Sequence, residues 1–127
     1  MATRTLDHEI LGQIRGLVSE DERTVQYRGI KFADIPGRWQ DPILLSGPLS
    51  DKAESFDATK YGPSCTQNSN GWLFDLSLIG HVSLEPKKVE QSELDCLNLV
   101  VTVPAGVKKL DGLPVMVWYV LRASKGG

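Results

Sequence analysis

The chain has 127 residues, 41% of them hydrophobic and 24% charged, with a net charge of −2. That is enough for one domain with a modest core. Lysine and arginine are spread without a basic patch, so nucleic acid is not an implied partner. No apolar run approaches the roughly 20 residues of a membrane helix.

The N-terminus, Met1 to Glu9, is a polar stretch without the apolar segment of a signal peptide, so the chain is expected to stay inside the cell, cytoplasmic by default. Ile10–Val18 alternates loosely between Gly12 and Gly16 and reads as a strand. Ser19 to Arg23 is a polar turn. Thr24–Tyr27 resumes period-2 alternation, and Gly29–Phe32 continues it, predicting an antiparallel hairpin with one wet face. Pro36-Gly37, Pro42 and Gly47-Pro48 then break structure. Residues 34–63 are therefore mostly irregular, with a helical turn considered at Leu49–Ser55. Residues 64–92 form a long loop with an apolar patch, Trp72-Leu73-Phe74. A loop of that length inside a compact domain is functional or disordered as a rule, and its apolar half argues against plain disorder. Leu97–Val103 reads as a strand ending at Pro104. Leu113–Leu121 is a nearly continuous apolar run, the pattern of a strand buried on both faces. No amphipathic helix is convincing. A mostly-β chain ending in its most buried strand resembles half of a larger sheet.

The chemistry on offer is sparse. Cys65 and Cys96 have a separation that suits neither a zinc ribbon nor a redox motif. A bond between them would close a loop of about 30 residues, worth roughly 3–4 kcal/mol in a chain-entropy description where the compartment is oxidising. Without a secretion signal, free thiols are expected. His8 lies in the polar N-terminal stretch and His81 in the long loop. Neither has a Ser-His-acid context, and two histidines are too few for a zinc site. No metal and no cofactor is expected. Trp39 and Trp118 are expected in the core, the usual place of a large aromatic side chain.

Six short motifs follow one another along the chain: Gly12-Gln13-Ile14-Arg15-Gly16; Val25 to Phe32, with Arg28-Gly29-Ile30-Lys31-Phe32-Ala33; Gly37-Arg38-Trp39 followed by Pro42; Tyr61 to Gln67; Ser92-Glu93-Leu94-Asp95-Cys96-Leu97-Asn98-Leu99; and Leu113 to Trp118. In this order they resemble the start of the type-B carboxylesterases, the family of cholinesterases, fungal lipases and neuroligin-like adhesion proteins. The first is similar to that family's opening strand, and the second to its next strand and the turn after it. The third is similar to an Arg-aromatic-x-x-Pro element, and the fourth to the segment before the first disulfide. The fifth resembles a Ser-Glu-Asp-Cys-Leu signature, and the last the strand leading into the oxyanion loop.

The resemblance implies an α/β hydrolase fold of which the N-terminal, mostly antiparallel β portion is present. It covers residues 12–118, within a truncated domain of residues 1–127 whose tail, 119–127, is atypical. It implies that Cys65 and Cys96 close a lid loop and lie within bonding reach. Trp72, Leu73 and Phe74 would then be lid contacts, or would simply pack on the body. It also implies a structural role for Arg38, Trp39, Glu93, Asp95, Cys96 and Leu97, with Arg38 pairing Glu93. Leu94 departs from the signature. As an insertion it rotates Glu93 relative to Cys96, which unsettles that pair. After Trp118 the family continues with a His-Gly-Gly-Gly loop that this sequence lacks, and the tail is expected to be translated intron or a frame error.

The expectation is a fragment of a carboxylic-ester hydrolase, lacking the oxyanion loop and the triad and inactive alone. Ester or lipid substrates would belong to the full-length parent. The alternative is a non-catalytic interaction module like the adhesion-type homologues, and a small hydrolase with a new site ranks last. Self-association is expected through residues 115–121, an apolar strand without its covers.

Overall fold

The computed structural model describes residues 1–50, 54–67, 78, 90–106 and 112–119. Its strands are β1 (Thr3–His8), β2 (Gly12–Val18), β3 (Thr24–Lys31), β4 (Ala33–Asp34), β5 (Ile43–Leu44), β6 (Phe56–Asp57) and β7 (Asn98–Pro104). The main sheet runs β1-β2-β3-β7, with β6 added along β2, and β4 and β5 form a separate two-stranded ribbon. Apart from the parallel β2–β6 contact, these strand pairs are antiparallel. No helix among the described residues is long and apolar enough to cross a membrane.

β1 corrects the reading of the N-terminus as a plain polar stretch. It pairs with β2 along its whole length, from Thr3 opposite Leu17 to His8 opposite Gly12. Leu6 is its one aliphatic side chain, so hydrophobic periodicity could not announce it. Backbone hydrogen bonds and β-favouring threonines hold this edge strand. His8 closes the turn, its Nδ1 accepting the backbone N–H of Ile10 and of Leu11, each at 3.2 Å.

The polar turn after β2 is as expected. Ser19 Oγ donates to Asp21 Oδ1 at 2.6 Å and accepts the Thr24 N–H at 3.0 Å. The β2–β3 ladder holds only at Leu17–Gln26 and Val18–Val25 and then opens. β6 enters the gap, Ile14 opposite Phe56 and Arg15 opposite Asp57. Ala58 follows it as a wedge, donating to the Arg15 carbonyl and accepting from Arg28 N–H. Only a small side chain fits there, and Ala58 is fully buried.

β3 carries the register change of the fold. Tyr27 faces Val101 and Ile30 faces Leu99, so β3 spends one residue more than β7 across this step. The extra residue is accommodated at Gly29, whose φ of +64° is left-handed, the geometry of a glycine β-bulge. Without it, strict alternation from Tyr27 would put Ile30 on the opposite face. With it, Val25, Tyr27 and Ile30 join Ile14 and Ala58 in one core cluster, flanked by Leu6, Leu11, Val18, Leu49, Phe56, Val103 and Ala105.

Two expectations fail here. Residues 113–119 adopt no strand. A continuous apolar strand needs neighbours for its backbone and covers for both faces. The described residues supply neither, and Val115, Met116 and Val117 stand exposed. Trp39 and Trp118, expected in the core, are 96% and 81% exposed. Trp39 sits in the 37–40 turn at φ +67°, aimed away from the small core. Leu49 and Ser50 are not helical. The lid patch Trp72-Leu73-Phe74, His81 and residues 120–127 lie outside the described residues.

Candidate functional site

Of the sequence-predicted residues, Arg38, Glu93, Asp95 and Cys96 meet at one turn, 92–96, just before β7. Arg38, reaching from the β4–β5 connection, donates through Nε to Glu93 Oε1 at 2.6 Å and through Nη2 to Glu93 Oε2 at 2.7 Å. This is a two-bond guanidinium–carboxylate fork. The pair is intact, so the departure at Leu94 does not break it. Leu94 lies between Glu93 and Asp95 with its side chain partly exposed. The hydrogen bond from Arg38 holds the Glu93 carboxyl below its usual range, and Glu93 in turn raises Arg38.

Sequence reading missed the second cation on this turn. Lys31, the last residue of β3, donates to Asp95 Oδ1 at 2.8 Å and also pairs with Asp34. These contacts, Asp34 first and Asp95 second, push the Lys31 ammonium up. Lys31 is on the wetter face of an alternating strand, where a charged residue carries no signal of its own. Within the turn, Asp95 N–H donates to Ser92 Oγ at 3.0 Å, and the Cys96 thiol donates to the Glu93 carbonyl at 3.8 Å.

The segment carrying Cys65 is tied to the same region. Ser64 N–H donates to the Glu90 carbonyl at 2.9 Å, and Ser92 N–H to the Ser64 carbonyl at 3.0 Å. Asn98 Nδ2 bridges the carbonyls of Pro63, at 2.8 Å, and Cys96, at 3.3 Å. Gly62 lets the Asn98 side chain approach, since a Cβ there would meet it at 2.6 Å. Cys65 is exposed and Cys96 half-buried, and both are free thiols. They are neighbours: burial first, and contact with the Cys65 thiol second, push the Cys96 thiol up. Leu97 follows, its carbonyl accepting the Phe32 N–H at 3.1 Å.

Beside this turn lies an open groove of about 900 Å³, lined in part by Leu44, Leu49 and Phe56 and by Lys31, Asp34 and Asp95. Among the described residues, neither a histidine nor a cysteine lines it. Among the described residues no group of three His, Cys, Asp or Glu side chains is placed to hold a metal ion. The turn can hold backbone segments together and bring two thiols close.

The sequence model of the carboxylesterase family matches residues 2–120. β1 therefore falls inside the match. Lipase 3 of Yarrowia lipolytica is 36% identical over 95 residues, covering 73% of this chain and 18% of that protein. Carboxylesterase 1C of Mus musculus is 32% identical over 116 residues, covering 90% of this chain and 20% of that protein. A solved PNB esterase structure superposes with a TM-score of 0.51 at 27% identity, covering 82% of this chain and 19% of that one. The chain thus spans about a fifth of the length of the curated relatives it matches.

Proposed function

Because the chain belongs to the carboxylesterase family, we propose that it is the N-terminal structural part of a carboxylic-ester hydrolase, inactive towards esters by itself. One observation carries this reading: the 127 residues contain neither a Gly-x-Ser-x-Gly elbow nor a Gly-rich oxyanion loop. Acyl transfer by a serine triad needs the nucleophile on its elbow, a histidine base and an acidic group that orients the histidine. It also needs preorganised donors for the oxyanion, each worth on the order of 100–1000-fold in rate. His8 is committed to a hairpin turn, its Nδ1 accepting the backbone N–H groups of Ile10 and Leu11.

The residues that do converge are scaffold. The Arg38–Glu93 fork and the Lys31 contacts fasten the turn before β7, and β7 is the strand against which β3 pairs. In an intact hydrolase this scaffold would set the position of the strand that follows β7. Ester or lipid substrates belong to that larger protein.

A chimera tests the proposal. Residues 1–118 replace the corresponding segment of Yarrowia lipolytica Lipase 3, and esterase activity is read against the parent lipase. An active chimera is expected. A chimera that is folded and monodisperse but inert would overturn the assignment.

A further inference from the structure

We propose that Lys31 and Arg38 form a two-armed clamp that presets Cys96 for disulfide closure onto Cys65, with Lys31 as a positioning residue; this rests on reading Cys65 and Cys96 as a thiol pair. The arms come from different elements and hold two residues of one turn. Arg38 holds Glu93 by two bonds of 2.6 and 2.7 Å. Lys31 holds Asp95 at 2.8 Å and also pairs with Asp34. Cys96 is the next residue, and its thiol is already turned back onto the Glu93 carbonyl. The Cys65 segment is fixed separately, through Ser64, Glu90, Ser92 and the Asn98 bridge. These backbone and side-chain contacts hold the Cys65 and Cys96 segments beside each other before any sulfur–sulfur bond forms.

The chemistry is ordinary thiol–disulfide exchange with a small disulfide such as oxidised glutathione. Cys65, the exposed thiol, gives up its proton and attacks one sulfur of the oxidant. A mixed disulfide forms and one glutathione thiolate leaves. Cys96 then loses its proton, attacks the Cys65 sulfur and displaces the second glutathione thiolate. Two protein thiols are oxidised by two electrons, one disulfide is reduced to two thiols, and the two protons pass to the leaving groups. The first step takes place between Cys65 and the oxidant. The second is intramolecular, and its rate depends on how long Cys96 spends in line with Cys65. The clamp acts on that second step only.

The test follows both steps by mass spectrometry after mixing the reduced chain with oxidised glutathione. Lys31→Met and Arg38→Met should form the mixed disulfide at the wild-type rate but close it on the order of 2- to 5-fold more slowly, as loss of an exposed ion pair implies. Lys31→Arg should restore closure. Independently of any variant, 1 M salt should slow closure of the wild-type chain, because exposed pairs are screened. Closure at the same rate in wild type, variants and high salt would overturn the clamp while leaving the thiol pair standing. A wild-type chain that stops at the mixed disulfide would overturn both.

Discussion

Replacing Gly29 by alanine probes the bulge on which the core depends. The residue has φ +64°, and a Cβ there would lie 3.0 Å from both the Gly62 nitrogen and the Lys60 carbonyl oxygen. An L-residue in the left-handed region costs about 1–2 kcal/mol. The two close atoms are backbone, so relieving the contact means moving the chain, which costs about a further 1 kcal/mol. Together these weaken folding by roughly 2–3 kcal/mol, a large share of the stability of an ordinary domain. The unfolding equilibrium should shift by about 30- to 150-fold, and the urea midpoint should fall by about 1–2 M. Far-UV circular dichroism in urea, at one fixed protein concentration, reads this directly. Gly106→Ala is the reference, since nothing lies within 4 Å of a Cβ at that position. Gly29→Asn should fall between the two, because asparagine tolerates the left-handed region better. A Gly29→Ala midpoint equal to that of Gly106→Ala would refute the reasoning.

Gly16→Ala should destabilise the chain by about 1–3 kcal/mol, because its Cβ would meet the buried Tyr27 ring at 2.6 Å and the Gln26 carbonyl at 2.8 Å; an unchanged urea midpoint would contradict this. Stability should fall as pH drops through the depressed range of Glu93, held low by Arg38, and of Asp57, held low chiefly by Thr59. The sign follows from folded pKa values below the unfolded ones: the contribution is full above the ordinary carboxylate value of about 4 and is lost below it. Glu93→Gln should make that acid loss shallower, which urea midpoints at pH 6, 4 and 3 would reveal. Val117→Lys should raise the monomer fraction in sedimentation velocity, because it places a charge in the exposed apolar run at Val115, Met116 and Trp118; unchanged association would rule this segment out as the contact.

What the sequence disclosed depended on whether each feature rests on local pattern or on distant partners. The β2 and β3 strands were legible because glycines and a polar turn bracket period-2 alternation. β7 was legible within a residue of its observed bounds. β1 was not, because an edge strand held by its backbone carries almost no hydrophobic signal. The run at 113–119 misled in the opposite direction: its composition is that of an inner strand, yet composition supplies no partner. Trp39 misled similarly. Its size suggested burial, whereas the preceding Pro36-Gly37 marked a turn. At the candidate site, motif order brought Arg38, Glu93, Asp95 and Cys96 together. The departure at Leu94 leaves the Arg38–Glu93 pair in place. Lys31 was invisible because its role exists only through Asp34 and Asp95, the latter far along the chain.

A chain proposed to be hydrolase scaffold without hydrolase chemistry should not turn over an activated ester. Steady-state hydrolysis of p-nitrophenyl butyrate by the purified chain, repeated after a serine-directed fluorophosphonate, is the measurement to make. The expected result is a rate equal to buffer and no mass adduct on any serine. A rate that co-purifies with the chain, falls in proportion to fluorophosphonate added and coincides with one modified serine would contradict it.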